Sequence, residues 1–227
     1  MTTGTEHISH TISATMGSLA PAKMIMPQPP NEKWNAKWLK LQTGSHPKLK
    51  EMEFEVGRFC FEMWASPHIG RLLLLAGRNG NGKTMMAKAV SRWVQAVGHG
   101  KKWISTEGTK LWNGVPGPDV RSVSLSVVYW HWPRLLDCFK NGEWDLLDDM
   151  IASPCLILDE LGGGHDPSGV GVDKLCQLLS RRENKWTLIT TNILPASWEE
   201  KFDKRIASRF FRNSTLIDLS EVPDFNA

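Results

Sequence analysis

Two hydrophobic periods alternate along this chain, and the switches between them mark out its elements. Leu72–Leu75, Cys155–Leu158 and the "TLIT" of "TLITTN" are short continuous apolar runs. Runs this short match strands covered on both faces, as in a parallel sheet. Val123, Leu125, Val127 and Tyr129 alternate with polar residues ahead of "VYWHW", a further strand, and "STLIDL" is the last. Between the strands the period becomes helical. Met86, Ala89, Val90, Trp93 and Val97 recur on one face and stop at Gly98. Val172, Leu175, Cys176 and Leu179 share another face that ends at Arg181-Arg182, charges suited to a helix C-terminus. Pro133 opens a helix that Gly142 separates from "EWDLLDDMIAS". Strands and helices in alternation predict an α/β domain over residues 69–227.

The ends and one insert depart from this pattern. Met1–Pro30 is rich in Thr, Ser, Met and Pro and shows no periodicity, the composition of a disordered tail. Residues 31–68 contain "NEKWNAKWLKLQ" and "HPKLKEMEFEVGRFCFEMWASP", a short helical segment that can pack on the core or dock a partner. Its expected stripe is Phe54, Arg58, Phe61 and Met63 or Trp64. His99–Arg121, with glycines, prolines and four basic residues, reads as a long loop of the kind that carries function.

Composition narrows the class. The 227 residues, 41% hydrophobic and 22% charged, are enough for one globular domain with a real core. A formal net charge of +3 is too mild to imply nucleic acid by itself. No apolar run approaches the roughly 18 residues of a membrane span, and no signal-peptide core opens the chain. A soluble, cytoplasmic protein with no membrane partner is expected. The four cysteines are far apart and include no C-x-x-C pair, the pattern of free thiols in a reducing compartment.

The most specific chemistry follows the first apolar run. Gly77-Arg78-Asn79-Gly80-Asn81-Gly82-Lys83-Thr84 fits G-x-x-x-x-G-K-[ST], between a buried strand and a helix N-terminus. There backbone amides and the helix dipole favour an anion, and the glycines let the chain close around a polyphosphate. Candidate ATP contacts therefore run from Gly77 to Met85, with Lys83 reaching the β- and γ-phosphates and the Thr84 hydroxyl on Mg²⁺. "CLILDE" delivers Asp159 and Glu160 to the same sheet edge, where ligands collect. Asp159 would hold Mg²⁺ directly or through water, and Glu160 would polarise an attacking water. Asn192 closes "TLITTN" at that edge; the residues alone leave open a γ-phosphate contact, a water contact or a turn asparagine.

Taken in order, GRNGNGKT, CLILDELG, TLITTN and DKRIASRF resemble the AAA+ ATPases, and within them the DnaC-like helicase loaders and IstB-like transposition ATPases. The resemblance runs from about Gly70 to the C-terminus, and "EVPDFNA" is similar to that family's terminal stretch. It implies a three-layer αβα P-loop core with a five-stranded parallel sheet. It makes Glu160 the Walker B glutamate and Asn192 the sensor 1 residue. Arg209 becomes an arginine finger offered to a neighbouring subunit, with Arg205 one turn earlier; the residues alone would make both a solvated basic face. An end just after the fifth strand implies no C-terminal helical lid and no sensor 2 arginine.

The function implied is an ATP- and Mg²⁺-dependent helicase loader in DNA replication, a feeble ATPase alone. Its partners would be a hexameric replicative helicase, single-stranded DNA and further copies of itself. The alternative is a transposition helper ATPase that binds duplex DNA and regulates a transposase. Lys101, Lys102, Lys110 and Arg121 with Trp103 and Trp112 combine charge and stacking surface, which suits single-stranded DNA and equally a solvated loop. A P-loop kinase is disfavoured, because a paired-arginine helix before the last strand is not a kinase lid. A GTPase is disfavoured too, since "NKWT" lacks the aspartate of N-K-x-D.

Overall fold

The computed structural model describes residues 46–65, 69–98, 102–112, 115–123 and 125–224. The expected tail over residues 1–30 and the "NEKWNAKWLKLQ" stretch lie outside them. In chain order the elements are α1 (Pro47–Ala65), β1 (Leu72–Ala76), α2 (Lys83–Gly98), β2 (Lys102–Trp112), β3 (Val115–Val123) and β4 (Val127–His131). There follow α3 (Trp132–Lys140), α4 (Asp145–Ala152), β5 (Cys155–Leu161), α5 (Val170–Arg181) and β6 (Trp186–Thr191). A single turn at Pro195–Ser197, then α6 (Trp198–Phe202), α7 (Lys204–Asn213) and β7 (Ser214–Asp218) complete the described chain. None of the described helices is long and apolar enough to cross a membrane.

Five strands form one parallel sheet in the order β4-β5-β6-β1-β7, the sheet the apolar runs predict. Alternate residues of each run enter opposite cores, which is why the runs are apolar throughout. Leu73, Leu75, Cys155, Ile157, Leu188 and Ile217 face a core shared with α1 and α2. Leu74, Ala76, Leu156, Leu158 and Ile189 face a second core built with α3 to α7. β1 lies between β6 and β7, with Leu74 level with Ile189 on one side and Leu216 on the other.

Two local expectations need correction. The buried stripe of α1 is Leu49, Met52, Val56, Phe59 and Met63, whereas Phe54 and Arg58 face solvent. Phe59 meets Trp186 edge-on at 5.1 Å, and Arg71 pairs with Glu55 and Glu62, so contacts outside the helix select its inward face. The segment expected to be a loop pairs as an antiparallel ribbon, β2 with β3, from Lys102 opposite Val123 to Trp112 opposite Val115. Two strands have only edges, so Pro116 and Pro118 interrupt no interior ladder. The side chains proposed there for DNA lie outside the described ones.

Arg182 caps the C-terminal end of α5, where helix-end charge is expected, and is 3% exposed. Its guanidinium donates to Met150 O, Ser153 O (2.9 Å), Trp186 O (2.7 Å) and Thr187 Oγ1 (3.1 Å), closing the C-terminal end of α4 onto β6.

Candidate functional site

β1 ends at the C-terminal edge of the sheet, and the chain turns from Gly77 to Gly82 into the N-terminus of α2. Gly77 holds φ 154° and Gly80 φ 77°, backbone that side-chain-bearing residues rarely adopt. The segment after β7 crosses close above. A Cβ on Gly77 would lie 2.7 Å from Leu219 Cβ, and one on Gly80 would lie 1.6 Å from Asp224 Oδ1. Leu219 N–H donates to Ala76 O (2.7 Å), and Asn81 Nδ2 donates to Leu219 O (3.1 Å).

Lys83 is turned into this loop and is 5% exposed. Its Nζ donates to Gly77 O (2.8 Å), Arg78 O (2.6 Å) and Asn81 Oδ1 (2.8 Å), three neutral acceptors. Burial pulls its pKa down to about 8, against the opposing pull of Asp159 and Glu160. An anion settling on the loop amides would supply the negative charge this ammonium lacks in contact. Arg78 and Asn79 are exposed at the loop tip. Met85 packs its half-buried side chain against the α1–α2 core.

Asp159 is 1% exposed and held by hydroxyls from three elements. Its Oδ1 accepts from Thr84 Oγ1 on α2 (3.0 Å) and Thr190 Oγ1 on β6 (2.6 Å), and its Oδ2 accepts from Tyr129 OH on β4 (2.5 Å). Burial, and then the bond to Asp159, push the Tyr129 phenol above its ordinary range and keep it a donor. A buried carboxylate in contact with neutral donors is a favourable place for a cation. Among the described residues no group of three or more His, Cys, Asp or Glu could hold a metal by itself. Thr84 and Asp159 offer two oxygens, which fits Mg²⁺, an ion that keeps waters and phosphate oxygens as its other ligands.

At Glu160 the β5 ladder is irregular. Pairing with β6 shifts between Leu158 and Leu161, and Glu160 takes φ 61°. A bulge of this kind re-aims a side chain, and strained backbone of this kind gathers at functional sites. The Glu160 N–H donates to Thr190 Oγ1 (2.9 Å), while its carboxylate reaches the surface with Oε2 2.7 Å from His131 Nε2. Asn192 follows β6 directly, exposed at the same edge, where Gly77 N–H donates to Thr191 O (3.2 Å).

The two arginines lie elsewhere. Arg205 pairs with Asp203 at the start of its own helix (2.9 Å). Arg209 donates to Ser180 Oγ on α5 (2.8 Å) and lines a cavity of about 400 Å³ with Gly70–Leu72, Lys185 and Thr187. That cavity sits at the N-terminal ends of β1 and β6, the edge opposite the loop. The fold thus gathers Lys83, Thr84, Asp159, Glu160 and Asn192 and leaves Arg205 and Arg209 outside the group. Tyr129, His131 and Thr190 join it unforeseen, because β4 and β6 are brought beside β5 only by strand pairing.

No protein-family model matches the sequence, and no curated protein does. Solved structures match. The crystal structure of the DnaC helicase loader aligns with TM-score 0.57 at 17% identity, over 83% of this chain and 99% of that one. DnaI aligns at 0.52 and 22% identity, over 77% and 86%. The fold is that of the AAA+ ATPases. The replication initiator DnaA bound to AMPPCP and single-stranded DNA aligns with TM-score 0.50 at 13% identity, over 72% of this chain and 45% of that one. At these identities the likeness is one of AAA+ fold, and residue roles rest on the geometry above.

Proposed function

We propose that the chain is an ATP-hydrolysing loader or remodeller of a replicative helicase, acting at single-stranded DNA. The observation that carries the ATPase reading is the convergence of Lys83, Thr84, Asp159 and Glu160 on one anion-receptive loop. Similarity to a helicase loader along 99% of that protein's length supports the partner, and the AMPPCP-bound and DNA-bound initiator of like fold supports the ligands.

In this reading the loop amides and Lys83 hold the β- and γ-phosphates, Lys83 leaving its carbonyl acceptors as the anion arrives. Thr84 and Asp159 would hold Mg²⁺, which supplies charge neutralisation at the phosphate oxygens. Asp159 stays oriented by its three hydroxyl donors. Asn192 orients the attacking water, and Glu160 takes its proton. Charge on the γ-phosphoryl group then calls for a cation from beyond this group. Arg209 cannot serve its own site: the five-residue β1 separates the two edges by roughly 17 Å at 3.3 Å per residue. It is available to a second copy, with Arg205 beside it. Hydrolysis is therefore completed between subunits.

A mixing experiment tests this. Lys83→Ala should lose ATP binding by calorimetry while keeping its finger, and Arg209→Ala should bind ATP with little turnover. Mixed, they should recover activity at mixed interfaces. Normal hydrolysis by Arg209→Ala, or a dead mixture that still assembles, refutes the shared site. A pull-down with and without ATP then asks for a hexameric helicase, against a transposase.

A further inference from the structure

Tyr129 is the chain's single tyrosine. Its ring packs, half-buried, against the core of α1, α2 and one sheet face, a place phenylalanine would fill as well. Packing does not account for the hydroxyl. It crosses from β4 to β5, where Tyr129 is level with Ile157, and donates to Asp159 Oδ2 at 2.5 Å. The other oxygen, Oδ1, is already taken by Thr84 and Thr190. The last torsion of an aspartate is broad and two-fold, so bonds on one oxygen leave the carboxylate able to swing. Bonds on both oxygens from three separate elements remove that freedom.

We propose that Tyr129 is a positioning residue of the divalent-cation site, its hydroxyl fixing the Asp159 carboxylate in the orientation that meets a cation together with Thr84. The proposal rests on the ATP and Mg²⁺ reading above. Its described hydrogen bond is to Asp159, not to the loop that binds phosphate. Loss of the hydroxyl should therefore weaken cation affinity and spare metal-free nucleotide binding. Partners that orient a metal ligand typically act on metal affinity in this way.

The test uses the full chain and Tyr129→Phe, with ATP affinity measured by calorimetry across a Mg²⁺ titration. Affinity in EDTA should stay within about twofold of the parent, while the Mg²⁺ needed for half-maximal enhancement rises on the order of tenfold. A folded variant whose Mg²⁺ requirement is unchanged overturns the proposal, even if its melting temperature drops, because that is what packing alone would do. A second readout needs no nucleotide. With ¹³C at tyrosine Cζ the protein gives one resonance, which Mn²⁺ alone should broaden and Asp159→Asn should shift, since a neutral amide is a weaker acceptor than a carboxylate. A resonance indifferent to both overturns the proposal. A parent chain that binds no nucleotide sinks the ATPase reading, and the Cζ response then still decides for or against Tyr129.

Discussion

Replacing His131 by alanine separates two roles for its contact with Glu160. The Nε2···Oε2 distance is 2.7 Å, but the two side chains are 47% and 44% exposed. Water competes for both groups, so the contact has the value of a surface pair, about 0.2–1 kcal/mol. If that bond parks Glu160 away from an attacking water, its removal can raise the available fraction by about fivefold at most, since 1 kcal/mol is a little under twice RT. Basal phosphate release by His131→Ala at saturating ATP and Mg²⁺ should accordingly rise by a small factor, with nucleotide affinity unchanged. His131→Ala combined with Glu160→Gln should match Glu160→Gln alone, because a restraint on a missing base has nothing to act on. A loss of an order of magnitude or more in His131→Ala, with the fold intact by circular dichroism, would refute the parked arrangement and make the histidine part of the machinery.

Other substitutions probe the rest of the site. Glu160→Gln should bind ATP normally and hydrolyse it about 10²–10⁴-fold more slowly, read from single-turnover phosphate release; parent-like turnover would move the base elsewhere. Arg182→Met should remove the described donor to Ser153 O and the guanidinium bonds to Met150 O and Trp186 O, costing about 3 kcal/mol at roughly 1 kcal/mol for each bond lost. The denaturant midpoint checks this, and a change under about 1 kcal/mol contradicts it. Lys83 in the free chain has its pKa drawn down to about 8, below the ordinary 10.5, so it loses its proton as pH rises through 8. A bound polyphosphate restores that charge. ATP binding in EDTA should therefore take up protons and weaken above pH 8, as calorimetry in buffers of different ionisation heat will show; constant affinity to pH 9.5 would rule this out.

Much of this was legible in the residue order because it is local. "LLLLAGRNGNGKT" contains a strand, a turn that needs glycine and a helix start within one stretch, and "CLILDE" places its acids at a strand end without outside help. Features that depend on distant partners were not. Tyr129 and His131 belong to the site only because β4 pairs with β5, and nothing in "VVYWH" states that register. The α1 stripe was misphased because Phe54 and Phe61 are as apolar as Val56 and Phe59; the core around Trp186 makes the choice. Arg181 and Arg182 look alike in sequence. One pairs with Asp148 at the surface, and the other is enclosed by carbonyls that arrive from α4 and β6.

The position of β1 also sets the order of events during synthesis. It precedes both of its neighbours by a long way: Leu72–Ala76 must pair with Thr187–Thr191 and with Ser214–Asp218. Until those segments leave the ribosome, the most apolar strand of the protein has no sheet to join. Closing such long loops comes late in folding and leaves strand edges available to other chains in the meantime. The glycine loop after β1, seated against the segment that follows β7, is thus assembled last. A nascent chain shorter than about residue 218 would carry the whole G-x-x-x-x-G-K-T sequence and hold no nucleotide with it.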